Sequence, residues 1–358
     1  MLVHKGDDTM KAYKRIIIWV LISVSIQLLG LFYLDKYYFA QTSNIKSTKL
    51  VIPPKKIDKN LVIKIQASAK QTQTSHDGKY LSYYESDKLK VVDTETGLAN
   101  TVKIIDGATL SFYKWVPERN RIILAEKIKK GKNSIIKFYY YDVSKNVVEE
   151  VRNDIKDKEI YLELKNEKSE VSGIEISPLT NVWYVKVLNQ GKKSIIYRLD
   201  IMAFMNQLNI KTYSIGEMRI LYTEDELFFE DLLYKKILTS QGNAVSIPDV
   251  KNPSILGADS ENNIYIADVN GGLTAKIYWG IYKGKTTTWN SKALAAPTKV
   301  KNIHVLLNGK IYVDDALNAI VTDLMSGTKT SYTGILQSIY SKGIASIDEE
   351  KLTKSLFK

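Results

Sequence analysis

Three consecutive residues, Ser75, His76 and Asp77, are of the types that form a nucleophile, a base and an orienting acid. Adjacent side chains cannot form that relay, because a catalytic triad is assembled from residues brought together across the fold. We expect Ser75 and Asp77 to form a polar turn, with His76 solvated. The segment therefore predicts a turn and no triad.

Metal and cofactor chemistry has few candidate residues. The chain has no cysteine, which excludes disulfides and thiolate ligands, and its histidines are His4, His76 and His304, without an H-E-x-x-H spacing. The segment "DSENN" (259–263) resembles the start of a calcium loop but lacks the Gly at position six and the Glu at position twelve. We expect a polar β-turn there, and neither a metal nor another cofactor in the chain.

Paired carboxylates are the remaining candidates for catalysis. Asp314 with Asp315, or Glu224 with Glu226, could act as acid and base on a glycan or peptide, although their spacing alone carries no information. No G-x-S-x-G, G-x-x-x-x-G-K-[ST] or G-x-G-x-x-G motif is present. We therefore expect no enzymatic activity. Four tryptophans could form a ligand-stacking surface, but we expect them in the core: Trp115, Trp183, Trp279 and Trp289.

The formal charge of +12 at first suggests a polyanionic partner. Of the 51 basic residues only six are Arg, and the Lys residues are interleaved with Asp and Glu. Reading of base edges favours the bidentate Arg fork, so we do not expect nucleic-acid binding. A weak attraction to anionic cell-wall polymer or lipid headgroups fits the charge better. The excess of Lys, Ile, Asn and Tyr is typical of an AT-rich bacterial genome.

The strongest signal is an uncharged stretch at 16–34, "IIIWVLISVSIQLLGLFYL". A helix of this length covers the roughly 30 Å hydrocarbon layer of a bilayer. Its 13 Ile, Leu, Val and Phe residues contribute about −4 to −8 kcal/mol on an insertion scale. The stretch is longer than the usual core of a signal peptide, and Tyr38 occupies the −3 position before Ala40, so we predict a retained signal anchor. The residues that flank this span are Lys11, Lys14, Arg15, Trp19, Tyr33, Tyr37 and Tyr38.

Charges predict the orientation of the span. Four basic residues precede it and three follow closely, and the compact "KAYKR" cluster (11–15) favours a cytoplasmic N-terminus. The next segment is polar and contains Pro53-Pro54, which is typical of a semi-extended tether. We divide the chain into a cytoplasmic tail (1–15), a transmembrane helix (16–34), a tether (35–60) and an extracytoplasmic domain (61–358).

A turn chemistry recurs in the last of these segments. "VVDTETG" (91–97), "YYDVSKN" (140–146) and "VTDLMSG" (321–327) each place an Asp after a β-rich run and a Gly or Asn four residues later. The carboxylate can accept backbone N–H groups of the turn, and Gly or Asn can adopt the positive φ that closes it. The repeat turn residues are Asp77, Gly78, Asp93, Gly97, Asp142, Asn146, Asp323 and Gly327.

A second element recurs before the first, as a polar turn that leads into an apolar strand. The six examples are 75–84, 116–125, 176–185, 222–229, 259–267 and 306–313. The mean period is roughly 46 residues, which points to β-propeller blades. We predict an all-β propeller of about six blades, with five to seven compatible, in which "LVIKIQ" (61–66) completes the last blade. The segments 200–208 and 348–358 are the two helix-like insertions.

The sequence "S-x-D-G-K-Y-L-x-Y" (75–83) followed by "D-x-x-T-G" (93–97) resembles the WD40-like propeller repeats of the TolB and dipeptidyl-peptidase IV N-terminal type. "WVPERNRIIL" and "ISPLTNVWYV" are similar to the same element. The resemblance covers about 70–200 well and 215–330 loosely, and His76 stands where Pro is usual. It implies a propeller fold and carries little information on function.

Three hypotheses follow for function. The first is a single-pass, non-catalytic propeller that acts as a scaffold for an envelope protein, peptide or glycan. The second is an envelope enzyme with carboxylates at the propeller channel. The third is an accessory or sensory subunit of a membrane complex that contacts Gln27 or Gly30 of the span.

Overall fold

The computed structural model describes residues 5–39, 62–131, 133–153, 158–164, 166–189, 193–284 and 288–357. The chain divides into two units, Met1–Lys55 and Lys56–Lys358. Each unit is described by itself below.

The first unit contains one long helix. Helix α1 (Lys5–Tyr33) continues into a π-helical turn, Leu34–Phe39. One stretch in the described part of the chain, Tyr13–Tyr37, is long and apolar enough to cross a membrane, and none of it is buried. The Tyr33 and Tyr37 rings stack with centroids 5.1 Å apart, and Trp19 is 70% exposed. The side chains of Lys11 and Tyr38, residues 40–60 of the predicted tether (35–60), and residue 61 lie outside the described residues.

In its described residues, the second unit consists of strands and of a 3₁₀ turn at Val300–Asn302. In chain order the strands are β1 (Lys70–Thr74), β2 (Tyr80–Glu85), β3 (Lys88–Asp93), β4 (Ala99–Thr101), β5 (Ala108–Trp115), β6 (Arg121–Lys130), β7 (Asn133–Asp142), β8 (Val147–Glu150), β9 (Arg152–Asn153), β10 (Lys158–Glu159), β11 (Tyr161–Leu164), β12 (Glu170–Ile176), β13 (Trp183–Leu188), β14 (Ser194–Leu199), β15 (Met205–Gln207), β16 (Ile215–Ile220), β17 (Leu227–Asp231), β18 (Lys236–Thr239), β19 (Ala244–Val245), β20 (Pro253–Ala258), β21 (Asn263–Asp268), β22 (Leu273–Ile281), β23 (Asn290–Lys299), β24 (Ile303–Val305), β25 (Ile311–Asp315), β26 (Ile320–Asp323), β27 (Lys329–Ser331), β28 (Ile335–Tyr340), β29 (Gly343–Asp348) and β30 (Lys351–Leu356).

Within the described residues, these strands form seven up-and-down antiparallel sheets and a small β9–β10 hairpin. Blade 1 is β1–β4, blade 2 is β5–β8 with β11, and blades 3 to 6 are the next four groups of four strands, ending at β27. Blade 7 is β28–β30. The all-β propeller predicted from the sequence is confirmed, with the blade count at the upper limit of the expected range.

Because neighbouring strands run antiparallel, connections alternate between the two ends of a blade. We call the end with the turns between first and second strands, and between third and fourth strands, the lower face. The upper face carries the turns between second and third strands and the links from one blade to the next. All six polar turns recognised in the sequence connect the first and second strands of blades 1 to 6, so they share the lower face.

Most of the core lies between adjacent blades. Trp115 of β5 donates from Nε1 to Ser82 Oγ of β2 at 2.9 Å and stacks on Tyr80 of the same strand. In the next interface, Trp183 packs edge-on against Phe138 and Tyr140. A single blade would leave these large apolar surfaces exposed, and stacking of the blades buries them.

The first strands of six blades contain a register shift against their second strands, for example between Leu110 and Phe112 and between Val171 and Gly173. A β-bulge bends a strand and redirects the side chains that follow it. In this ring the bulges lie on the strands that surround the axis. They therefore set which side chains point into the central channel.

The N-terminal segment closes the ring. Lys64 pairs antiparallel with Lys351 of β30, Ile65 N donates to Glu350 O at 2.7 Å, and Leu352 N donates to Ile63 O at 2.9 Å. Ile63 and Ile65 are buried against Leu81, Tyr83 and Val92 of blade 1. The described part of 61–66 thus supplies the outer edge of blade 7, as predicted.

Two local predictions are wrong. Residues 348–358 were expected to be helix-like, but 351–356 form strand β30, because Leu352 packs in the closure cluster and Lys354 reaches blade 1. Residues 200–208 were also expected to be helix-like. They form a tight turn in which Asp200 Oδ1 accepts Met202 N and Phe204 N, followed by β15. In both segments, tertiary pairing outweighs local helix propensity.

Candidate functional site

The recurring Asp residues close turns on the lower face. Asp93 Oδ1 accepts the N–H groups of Glu95 and Thr96 at 2.9 and 3.0 Å, and Gly97 follows at φ +72°. Asp142 Oδ1 accepts Ser144 N and Lys145 N, and Asn146 follows at φ +54°. Asp323 Oδ1 accepts Met325 N and Ser326 N, and Gly327 follows at φ +73°. These three turns connect the third and fourth strands of blades 1, 2 and 6.

Ser75, His76 and Asp77 form another lower-face turn. Ser75 Oγ donates directly to Asp77 Oδ1 at 2.7 Å, and the backbone N–H of Tyr80 donates to Ser75 Oγ. Burial raises the pKa of Asp77, but the hydrogen bonds from Ser75 and from Lys79 N outweigh it and leave the pKa lowered. No imidazole lies between the hydroxyl and the carboxylate, so the three residues do not form a catalytic relay.

Gly78 and His76 instead mark the contact between blades 7 and 1. A Cβ at Gly78 would collide with the Tyr340 ring of blade 7, and the backbone there has φ +68°. Ser341 N donates to His76 O at 3.1 Å. His304 lies in β24, and burial lowers the pKa of its imidazole. The two histidines thus sit in separate parts of the propeller.

The residues 259–263 form a closed hydrogen-bonded turn. Asp259 Oδ1 accepts Glu261 N and Asn263 N, while Oδ2 accepts Asn263 Nδ2 and the Tyr265 hydroxyl. Both carboxylate oxygens of Asp259 already have protein donors. The segment acts as a turn between β20 and β21.

The proposed carboxylate pairs lie away from the channel. Asp314 is buried and accepts the Tyr332 hydroxyl, and burial raises its pKa. Asp315 is exposed, and hydrogen bonds from Asn318 lower its pKa. Glu226 is buried with Ser240 and Gln241 as donors, while Glu224 is exposed. Neither pair forms a pocket with two free carboxylates.

The four tryptophans also lie apart from one another. Trp115 and Trp183 are buried in the first two interfaces, as described above. Trp279 stacks on Tyr265, and Trp289 donates to Ser246 O. They support separate regions of the propeller and share no ligand platform.

The central channel contains a belt of ion pairs that sequence analysis missed. Lys114 Nζ and Glu175 Oε1 lie 2.5 Å apart, and Arg219 Nη1 lies 3.4 Å from the same oxygen. Arg219 Nη1 also lies 3.1 Å from Glu217 Oε2. Burial would lower the pKa of Arg219, but Glu175 and Glu217 raise it overall. Both carboxylates are therefore held by cations.

This belt separates two cavities. One, of about 280 Å³, is lined by the first strands of blades 1 to 4 and by Lys186 of β13. The other, of about 270 Å³, is lined by blades 2 to 6 and reaches the lower-face turns. Lys114, Glu175 and Arg219 line both. The available signal was charge within an apolar strand, a single Lys in "WYVKVL" for Lys186 and a Glu-x-Arg pair in "GEMRI" for Arg219.

A cavity of about 560 Å³ opens on the upper face between blades 4 and 5. Its rim includes the turn after β17, where Leu232, Leu233 and Tyr234 are 56%, 53% and 65% exposed. Tyr213 lies beside them, because Leu232 N donates to Ser214 O at 2.9 Å. We call Tyr213, Leu232, Leu233 and Tyr234 the upper patch. Its sequence signal was "DLLYKK", a turn with apolar residues in place of polar ones.

The lower face also exposes apolar side chains, in blade 3. Leu179, Ile201, Met202 and Phe204 are all partly or largely exposed. They project from the two turns of one blade. This group therefore differs from the upper patch, which borders a large cavity.

No protein-family model matches the chain, and no curated protein matches it. Solved structures do. The chain is similar to the β-propeller domain of Cps50 (Swd1) from Myceliophteria thermophila, with a TM-score of 0.52 and 10% identity over 82% of this chain and 98% of that one. It is also similar to a chain of the Mitotic Checkpoint Complex, with a TM-score of 0.51 and 9% identity over 88% and 99% of the two chains. These likenesses show the propeller fold.

The two propeller types that the sequence resembles are also found. TolB from Acinetobacter baumannii matches with 13% identity over 60% of this chain and 51% of that one, at a TM-score of 0.33. Dipeptidyl peptidase 4 from Porphyromonas gingivalis matches with 13% identity over 81% and 53%, at a TM-score of 0.43. The seven described sheets and the two likenesses with TM-scores above 0.5 define the class of protein as a β-propeller, and its described N-terminal residues form an apolar helix.

Proposed function

We propose that this protein is a membrane-anchored, non-catalytic scaffold of the bacterial cell envelope, and that its upper face binds another envelope protein. The observation that carries the proposal is the upper patch, where four large side chains are exposed together and one of them, Leu232, lines a cavity of about 560 Å³. Soluble proteins seldom expose such clusters without a partner, and Tyr is enriched among residues that dominate binding energy.

The location of the scaffold rests on the N-terminal helix. The stretch Tyr13–Tyr37 has 25 residues, exposes its apolar side chains throughout, and carries aromatic residues at both ends. Basic residues cluster before it, which favours a cytoplasmic N-terminus and an extracytoplasmic propeller. The helix then serves as the anchor.

The channel supports binding over catalysis. Acid–base catalysis by two carboxylates needs one that can donate a proton and one that can accept it, both within reach of the substrate. Glu175 is held by Lys114 and Arg219, and Glu217 is held by Arg219. The belt therefore serves to join the first strands of blades 2, 3 and 4.

Site-specific photocrosslinking in intact cells tests the scaffold. A photoreactive amino acid replaces Leu233 in the upper patch or, as a control, Ile201 on the lower face, which is comparably exposed. We expect a discrete adduct with one protein from position 233, and its loss on the added substitution Tyr234→Lys. Equal crosslinking from both positions, or none from position 233, would contradict the proposal.

A further inference from the structure

Lys186 is a half-buried cation without a carboxylate partner in the described part of the chain. Its side chain passes over Gly173, whose added Cβ would lie 3.5 Å from Lys186 Cε, and its Nζ donates to Gly216 O at 2.6 Å. Burial lowers the pKa of the ammonium, and the nearby carboxylates Glu217, Glu230 and Glu175 offset this only in part. An ammonium has three donors, so a carbonyl alone leaves capacity for a further acceptor.

Neighbouring carboxylates are engaged elsewhere. Glu230 Oε1 accepts Ser254 Oγ and Ile255 N at 2.7 Å each, and Glu230 Oε2 accepts Glu217 N at 3.1 Å. The Glu230 side chain also fills the space beside Gly216, where a Cβ would collide with it. Because both Glu230 oxygens accept these other donors, Glu230 does not pair with Lys186.

The cavity at Lys186 is predominantly cationic. The cavity has a volume of about 280 Å³. Three cations and two carboxylates line it: Lys114, Lys186, Arg219, Glu175 and Glu217. Because the two carboxylates pair with Lys114 and Arg219, the charge left over is that of Lys186. The volume lies at the lower limit for ligand sites, of roughly 300 Å³, and so fits a small molecule.

We propose that this cavity binds a small oxyanion, a carboxylate or a phosphate, with Lys186 as its principal donor. The anion supplies a further acceptor for the half-buried ammonium beside Gly216 O, and hydrogen bonds that involve a charged group are among the strongest. Arg219 lines the same cavity and adds a second cationic donor group. The residues that line this cavity differ from the four residues of the upper patch.

Calorimetry on the full-length protein in detergent tests the proposal, with acetate and inorganic phosphate as probes at constant ionic strength. Chloride and neutral acetamide serve as controls. We expect saturable binding of at least one oxyanion and neither control; the stronger oxyanion identifies the class. Lys186→Met should weaken it about tenfold or more, the effect of losing a hydrogen bond to a charged group.

Lys354 provides the matched control. Burial also lowers the pKa of Lys354. Its Nζ likewise donates to a glycine carbonyl, Gly78 O, at 2.9 Å, but it lies between blades 7 and 1. Lys354→Met should leave anion binding unchanged. Absence of oxyanion binding to the wild type, or equal binding to Lys186→Met, would overturn the proposal.

A second measurement avoids any variant that fails to fold. Reductive methylation of the wild type, followed by mass spectrometry, reports each lysine separately. We expect acetate or phosphate to slow methylation of Lys186 and to leave Lys354 unaffected. The same methylation rate at Lys186 with and without both anions would refute the site.

Discussion

The two faces of the propeller differ in the side chains that their turns expose. On the lower face, Asp93, Asp142 and Asp323 repeat one hydrogen-bonding pattern, and each is followed by a residue with positive φ. On the upper face, Asp231 repeats this pattern, because its Oδ1 accepts Leu233 N and Tyr234 N and Lys235 follows at φ +51°, but this turn exposes Leu232, Leu233 and Tyr234. The repeated turn thus maintains the scaffold on both faces, and the exposed apolar side chains mark the surface available for binding.

The comparison depends first on a closed ring. Replacing both Ile63 and Ile65 by Lys should destabilise the protein by more than about 4 kcal/mol, because each loses a buried aliphatic contact and introduces a buried charge. Limited proteolysis of the full-length protein should show new cleavage in blades 1 and 7. Val62→Lys, at a position that is 56% exposed, should keep the wild-type resistance. Unchanged resistance in the double variant would reject closure by this segment.

Substitutions in one turn of each face should differ in their effect on stability. Asp93→Ala removes the acceptor of two backbone N–H groups and should lower the free energy of unfolding by about 2 kcal/mol. Leu233→Lys changes an exposed turn and should alter stability by less than about 0.5 kcal/mol. Thermal unfolding of both variants checks this. A larger loss from Leu233→Lys would mean that the upper patch is structural.

Between the two faces, strand β6 contains a buried acid that works against stability. Glu126 is fully buried, and burial raises its pKa above the ordinary 4.5 although the bond from Ile105 N opposes this. The folded state therefore retains a proton that the unfolded chain releases, so this group's contribution falls as the pH rises above about 4.5. Glu126→Gln should be more stable than wild type at pH 8 and equal to it at pH 4. Unfolding at both pH values measures this.

Glu149→Gln is the control for that titration, because Glu149 is exposed on β8. Its pH profile should follow that of the wild type. An identical profile for Glu126→Gln would show that Glu126 ionises freely in the folded protein.

The smallest expected effect concerns the positive φ of the lower-face turns. Gly327 has φ +73° and open space around it, so Gly327→Ala should cost only the backbone term of about 1 kcal/mol. Gly173→Ala places its Cβ in ordinary contact, at 3.5 Å from the nearest atom, without a positive φ. It should be tolerated. If both variants lost the same free energy of unfolding, the Gly of the Asp-x-x-x-Gly pattern would not be required for its positive φ.

The lower face was the part that sequence could predict. Turn chemistry is local: Asp accepts nearby N–H groups and Gly takes positive φ, so a repeat of these residues is visible without long-range information. Blade 7 lacks that chemistry, since its first two strands are joined by Ser341 and Lys342 alone, and the sequence therefore suggested about six blades.

The channel belt and the cavity at Lys186 could not be predicted. Lys114, Glu175 and Arg219 come from three blades, and their meeting depends on bulges in strands far apart in sequence. The upper patch had a local signal in "DLLYKK", but its neighbour Tyr213 and the adjoining cavity depend on how blades 3, 4 and 5 pack.

Single-cysteine labelling in intact cells tests the central claim most directly, because the chain contains no cysteine of its own. Leu233→Cys and Ile201→Cys are each treated with a membrane-impermeant maleimide, before and after purification. We predict that Ile201→Cys is labelled in both states, while Leu233→Cys is protected in cells and labelled once purified. Labelling of both positions in cells would contradict a covered upper face, and labelling of neither would contradict an extracytoplasmic propeller.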